Sequence, residues 1–143
     1  MSIFLEAMTS VVERLREFRW EEYGVEYVVL FGSAVESELF HDIDLAVRFR
    51  DYCFGKYVDL LCSLAAFMGV REDHIDLVVL DERTPAQLVL EIFEKGVVVY
   101  YRDWEWFIED SLRLINISSD FVRDLEKLNV VETVVEGVKK SWE

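Results

Sequence analysis

The chain has 143 residues, 52% of them hydrophobic and only one a proline, so we expect one globular domain without a flexible linker. No apolar run approaches the roughly 20 residues that cross a bilayer, and the acidic N-terminus does not resemble a signal peptide, so we expect a cytoplasmic protein without membrane contact. The net charge of −14 disfavours direct binding of nucleic acid and favours metal cations or a basic protein partner, although it would equally keep an apolar-rich chain soluble.

Helices and strands are predicted to alternate from the N-terminus onward. Apolar residues at helical spacing predict an amphipathic helix over about Ile3–Tyr23, which Gly24 ends. Val25–Phe31 is mostly apolar, the pattern of a strand that is buried on both faces. A short helix over about 33–39 and a second strand over Asp42–Phe49 are predicted to follow.

The middle of the chain continues this alternation. The pattern predicts a helix over Gly55–Met68 and a third strand over His74–Leu80. A further helix is predicted to run to about residue 95, with Thr84 as its N-cap and Pro85 in its first turn.

The last segment is predicted to be a strand followed by helix. Val97–Tyr101 is β-branched and aromatic, as strands are. A long or broken helix is expected from residue 103, and residues 129–143 form either a last helix or a frayed end. The fold class is therefore α/β (α+β): a small mixed sheet of about four strands with flanking helices. Residues 1–143 form a single domain with a core over about 25–103 and a helical extension over about 104–143.

Two short motifs indicate the chemistry. Gly32 and Ser33 form a tight corner after the first predicted strand, where free backbone N–H groups can hold phosphate. Asp42 and Asp44 lie two residues apart on the second predicted strand, so their side chains point the same way. Two such carboxylates repel unless a cation lies between them, and oxygen ligands suit Mg²⁺. The combination predicts phosphoryl or nucleotidyl transfer.

A third carboxylate, Asp76, lies within the apolar third strand. A charge at such a position is costly unless something pairs with it. If the second and third strands are neighbours, Asp76 faces Asp42 and Asp44, and the three could bind one or two divalent ions. Asp76 would then be the proton acceptor for an attacking hydroxyl.

These residues together resemble a known family. The runs Leu30–Ser33, Asp42–Leu45 and Ile75–Val78 are similar to the signature of the minimal nucleotidyltransferases (MNT) of the DNA polymerase β superfamily. That signature is Gly-Ser, a short gap, Asp-x-Asp and a later single Asp. The stretch from Leu80 to Asp103 and the helical C-terminus also resemble the MNT group, so the likeness covers about 25–103.

The resemblance implies a polymerase-β-like nucleotidyltransferase fold and an antitoxin function. MNT proteins pair with a HEPN ribonuclease toxin and use ATP and Mg²⁺ to place AMP on a hydroxyl of the toxin, typically a tyrosine. Carried over to this sequence, Gly32 and Ser33 bind the triphosphate. Asp42, Asp44 and Asp76 are then the metal ligands and the catalytic residues, and Asp76 also activates the acceptor.

The sequence departs from the family after the corner. Ala34–Ser37 take the place of a basic, glycine-containing loop, so phosphate contact would fall to another cation, at Arg48, Arg50, Lys56 or Arg71. Two alternatives therefore stand beside the enzyme. One is a catalytically weakened MNT protein that neutralises its toxin by binding, and the other is a nucleotidyltransferase that acts on a small molecule.

Two histidines adjoin the carboxylates. His41 precedes Asp42 in the sequence, and His74 shares a predicted strand face with Asp76. Each could lie near a metal, but a polar contact outside the metal site is the commoner role, because the metals of this family prefer carboxylates.

Overall fold

A four-stranded mixed sheet forms the centre of the fold. The computed structural model describes residues 11–32 and 42–142, with side chains up to residue 128. The strand order is β3-β2-β1-β4; β1 is antiparallel to β2 and β4, and β2 is parallel to β3. The predicted small mixed sheet is therefore confirmed. The strands are β1 (Val25–Phe31), β2 (Ile43–Phe49), β3 (Ile75–Val79) and β4 (Val97–Tyr101).

Helices cover both faces of this sheet. In the described part of the chain they are α1 (residues 11–16), α2 (Phe54–Met68), α3 (Ala86–Lys95) and α4 (Trp104–Trp142). One core cluster packs α1 and α2 against one face, and a second packs α3 and α4 against the other. All seven residues of β1 are buried, as predicted for a strand enclosed on both sides.

The predicted N-terminal helix is wrong in its last part. Helical residues 11–16 are followed by a break and a short 3₁₀ helix, Trp20–Tyr23. Phe18 and Trp20 are both buried, whereas in one helix two residues this close would lie about 200° apart. The break lets both rings enter the core, and Trp20 Nε1 donates to the carbonyl oxygen of Leu15 at 2.7 Å. The predicted start of this helix and the short helix over 33–39 lie outside the described residues.

The predicted cap of α3 is also wrong. Pro85 is the residue that precedes the helix, with extended backbone, so Thr84 lies one residue too early to cap it. Thr84 Oγ1 instead accepts from the backbone N–H of Asp81 at 3.0 Å and donates to the carbonyl oxygen of Val79 at 3.2 Å. The hydroxyl therefore closes the turn after β3.

The C-terminal segment is one continuous helix. The alternative of a broken helix and a frayed end is not observed, since α4 runs over 39 residues. Its first half packs against α3, and Phe107 and Leu114 are buried in the second core cluster. Although α4 is long, no helix within the described ranges is apolar enough over a sufficient length to cross a membrane.

A buried polar network fixes α4 to the sheet. Tyr27 O–H in β1 donates to Asp110 Oδ2 at 2.7 Å, and Arg48 Nε in β2 lies 3.1 Å from the same oxygen. Burial, followed by the hydrogen bond to Asp110, raises the pKa of Tyr27, so the phenol stays protonated. Arg113 bridges Asp110 to Glu82, and its hydrogen bond lowers the pKa of Glu82 to about 2.

Candidate active site

The predicted carboxylates lie at one end of β2 and β3. We call Gly32, Asp42, Asp44 and Asp76 the acidic corner. Asp44 is the register partner of Asp76 across the parallel pair β2–β3, and it is also the partner of Phe31 on β1. In-register neighbours on adjacent strands point to the same side of a sheet. The sheet thus brings two of the three predicted carboxylates side by side, with the end of β1 next to them.

Gly32 allows a close approach that another residue would block. Its φ of +77° lies in the left-handed region, which residues with a Cβ rarely adopt. A Cβ on Gly32 would also collide with the carboxylate of Asp44. The backbone after β1 can therefore lie directly against Asp44, at the position where the sequence predicts phosphate binding.

Asp42 is engaged by a histidine. Asp42 Oδ1 lies 3.5 Å from His74 Nδ1, and both side chains are about half exposed. The two residues directly precede the register partners Ile43 and Ile75. Sequence reasoning placed His74 on the face of Asp76 but did not identify Asp42 as its neighbour. Extending the register of β2 and β3 by one residue would have found this contact.

The carboxylates of the acidic corner suit a metal ion that is bound partly by the protein and partly by the phosphates of a substrate. Within residues 11–32 and 42–128, no group of three histidine, cysteine, aspartate or glutamate side chains is arranged to hold an ion. Mg²⁺ commonly binds one or two carboxylates together with substrate phosphates rather than a cage made of protein alone. Asp44 and Asp76 fit that pattern, and Asp76 is exposed on β3.

The remaining residues that the sequence singled out differ in position. Ser33, residues 34–37 and His41 lie outside the described residues. Arg48 and Arg50 lie at the far end of β2, where they pair with Asp110 and Glu26 respectively. Arg71 directly precedes the 3₁₀ turn Glu72–His74 that leads into β3, and its side chain is exposed beside Asp73 at 3.0 Å. Lys56 Nζ donates to the carbonyl oxygen of Asp51 at 2.6 Å, just beyond that same far end of β2. Of these four cations, Arg71 is therefore the one on the side of the acidic corner, where β3 begins.

A sizeable cavity lies away from this corner. About 460 Å³ in volume, it opens between the ends of β2, β3 and β4 and the start of β1. Arg50 and Arg102 both pair with the buried Glu26 in its wall. Arg48 and Arg50 line it, but no residue of the acidic corner does, so it is separate from that corner.

Comparisons with known proteins agree with this geometry. A family model described as "Polymerase beta, Nucleotidyltransferase" matches residues 13–105. A solved toxin–antitoxin structure with AMP-PNP is 19% identical at a TM-score of 0.56, covering 90% of this chain and 98% of its own. A comparison with curated protein sequences gave no match.

Two further solved structures share the fold. A mutant of the toxin–antitoxin MntA–HpeT is 17% identical at a TM-score of 0.56, covering 90% of this chain and 98% of its own. A complex of the tri-AMPylated HEPN toxin of Shewanella oneidensis with MNT antitoxin is 18% identical at a TM-score of 0.53, covering 92% of this chain and 98% of its own. At such identities the likeness establishes a common fold.

Proposed function

The chain belongs to the polymerase beta nucleotidyltransferase family, and we propose that it transfers AMP from ATP to a hydroxyl of a HEPN-type toxin and acts as the toxin's antitoxin. The observation that carries this proposal is the register pair Asp44–Asp76 beside the left-handed Gly32. Paired carboxylates and a tight backbone corner are the parts that nucleotidyl transfer requires.

Each residue of the acidic corner has a proposed role. Gly32 and Ser33 hold the triphosphate through backbone N–H groups, as such corners do for anions. Asp42, Asp44 and Asp76 would hold Mg²⁺ together with the phosphates of the substrate rather than as a cage of their own, and the bound ion would neutralise charge on those phosphates. Asp76, exposed on β3, accepts the proton of the attacking hydroxyl.

The proposed reaction is an in-line displacement at the α-phosphorus of ATP. The hydroxyl oxygen of the acceptor, which we propose to be a tyrosine, forms a bond to that phosphorus while its proton passes to Asp76. The bond between the α-phosphorus and the oxygen that bridges to the β-phosphorus breaks, and pyrophosphate leaves. The acceptor then carries AMP. The reaction would take place in the cytoplasm, where ATP is available.

The partner is supported by two independent features. The similar structures were solved as toxin–antitoxin complexes, and one of them contains an AMPylated HEPN toxin. The net charge of −14 suits a basic partner, because opposite surface charges steer association. A protein that binds RNA would carry such a basic surface.

Label transfer tests the proposed reaction. The protein is incubated with Mg²⁺ and the toxin candidate encoded by the neighbouring gene, and ATP labelled at the α- or γ-phosphate is added. We expect the toxin candidate to take up α-label and no γ-label, and EDTA to prevent the uptake. Uptake of γ-label would mean phosphoryl transfer and would contradict the proposal.

Neutralisation by binding alone is the second candidate. It is favoured by the sequence after the corner, where Ala34–Ser37 contain no basic residue and Glu36 adds a negative charge. In that case the protein forms a tight complex with the toxin candidate, blocks its nuclease activity without ATP and transfers no label. Transfer to a small-molecule hydroxyl would instead leave the toxin candidate unlabelled and unbound.

A further inference from the structure

The C-terminal helix extends beyond the body of the domain. With 39 residues at about 1.5 Å per residue, α4 is about 58 Å long. Ser118 is the last buried residue among those with described side chains, and residues 123–128 are all exposed. An isolated helical segment of this kind is only marginally stable in water, because most helical stability in proteins comes from packing. The distal part of α4 is therefore a surface available for another chain.

One face of this distal part is apolar. We call Ile117, Phe121, Leu125 and Leu128 the apolar stripe; their exposed fractions lie between 43% and 58%. Spacings of four, four and three residues place all four on one side of a helix. Leu114, on the same side one turn earlier, is buried in the second core cluster. The stripe thus continues the core-facing side of α4 past the point where the core ends.

The start of the stripe borders a small cavity. Ile117, Ser118 and Phe121 line a cavity of about 250 Å³ together with residues 82–86, which include the charged Glu82 and Arg83 and lead into α3. A cavity of this size is sufficient for one large apolar side chain. Interfaces commonly have such an anchor side chain in a pocket at their centre.

The charge beside the stripe selects the kind of partner. Asp120 and Asp124 lie along one edge of the stripe on α4, since they follow Ile117 and Phe121 by three residues each. Asp120 has only a long, exposed contact of 3.9 Å with Arg123, and such surface pairs contribute little free energy. A second copy of this chain would bring another net charge of −14 to the contact, whereas a basic partner is attracted.

We propose that the apolar stripe is the docking face for a helix of the partner toxin, with apolar side chains on one side and lysine or arginine at its edge. This inference rests on the proposed function, which supplies the partner. An amphipathic helix in a groove is a common recognition geometry, in which residues at helical spacing act as anchors. The partner helix would cover the stripe and place one apolar side chain in the cavity beside Phe121.

The test compares matched variants on α4. Phe121→Asp and Leu125→Asp place a charge on the stripe, whereas Leu112→Asp does so on the opposite side of the same helix at a similar exposure of 52%. We expect the first two to weaken binding of the toxin candidate at least tenfold in calorimetry, and the third to leave it unchanged. Circular dichroism confirms that all three variants keep the helix content of the wild type.

Two outcomes would overturn the inference. One is binding by Phe121→Asp and Leu125→Asp with the affinity of the wild type. The other is self-association of the wild type in sedimentation velocity that Phe121→Asp abolishes, because the occupant would then be a second copy. Failure of the proposed function can be distinguished from these outcomes. Asp44→Asn is expected to bind the toxin candidate with wild-type affinity and to lose label transfer. A wild-type protein that binds the toxin candidate but transfers no label would contradict the proposed enzyme activity and leave the docking face intact.

Discussion

At the scale of single residues, Gly32 sets the geometry of the acidic corner. Its backbone has a left-handed conformation that residues with a Cβ rarely adopt, and the carboxylate of Asp44 occupies the space that a Cβ would need. The glycine therefore serves the site in two ways, by turning the chain after β1 and by leaving room for Asp44. A substitution there has a backbone cost and a separate steric cost.

Gly32→Ala is expected to lower both stability and label transfer. The left-handed backbone alone costs a residue with a Cβ about 1–2 kcal/mol. Gly69→Ala is the matched control, because Gly69 has a φ of +70° and nothing lies within 4 Å of its Cβ position. Urea denaturation is expected to show a larger loss of unfolding free energy for Gly32→Ala than for Gly69→Ala. Equal losses, with label transfer intact in both variants, would mean that Asp44 does not depend on this glycine.

At the scale of elements, the junction between α4 and the sheet depends on one buried carboxylate. Asp110 on α4 accepts a hydrogen bond from the hydroxyl of Tyr27 and forms ion pairs with Arg48 and Arg113. A buried charge is tolerated when such partners satisfy it. Helix and sheet are thus joined by polar contacts as well as by the apolar core.

Tyr27→Phe removes one of these partners. A hydrogen bond to a charged group contributes about 1.5–3 kcal/mol, so we expect a loss of this order in the unfolding free energy. Tyr101→Phe, at a half-exposed tyrosine of β4, is the control and is expected to change it by less than about 0.5 kcal/mol. If the two variants were equally stable by urea denaturation, the network would not hold α4 in place.

The elements were largely predictable because their signals are local. After the first helix, apolar runs and helix-ending glycines give the strands and helices to within one or two residues, with β1 and β4 correct at both ends. The break after residue 16 was not predictable, because it results from burying Phe18 and Trp20 together. The role predicted for Thr84 was wrong because a threonine before a helix can close the preceding turn instead of capping the helix.

The residues of the candidate site were predictable from the sequence. Their arrangement was predictable only on the condition that the second and third strands are neighbours. The alternation of strand side chains gives Asp42 and Asp44 a common direction, but it does not say which strand lies beside β2. The parallel pairing that places Asp76 opposite Asp44 is a property of the whole sheet. The contact of His74 with Asp42 depends on the same pairing. The roles of these residues in binding and catalysis remain predictions.

At the scale of the whole molecule, different groups of polar residues lie at the two ends of the sheet. The acidic corner lies where β2 and β3 begin, and the network of Arg48 and Asp110 lies where they end. The network anchors α4, whose distal part carries the apolar stripe. The proposed catalysis and the proposed docking therefore lie in separate parts of one chain, and we expect a substitution in one part to leave the other unchanged.

The central claim, that the acidic corner carries nucleotidyl transfer, is tested most directly by the initial rate of α-label transfer to the toxin candidate in two asparagine variants. Asp44→Asn removes a carboxylate of the corner, and Asp59→Asn makes the same change at an exposed position of α2. Loss of a metal ligand that stabilises the transition state by several kcal/mol corresponds to about 100-fold or more in rate. We predict a loss of this size for Asp44→Asn and a wild-type rate for Asp59→Asn. A wild-type rate in a folded Asp44→Asn variant would contradict the account.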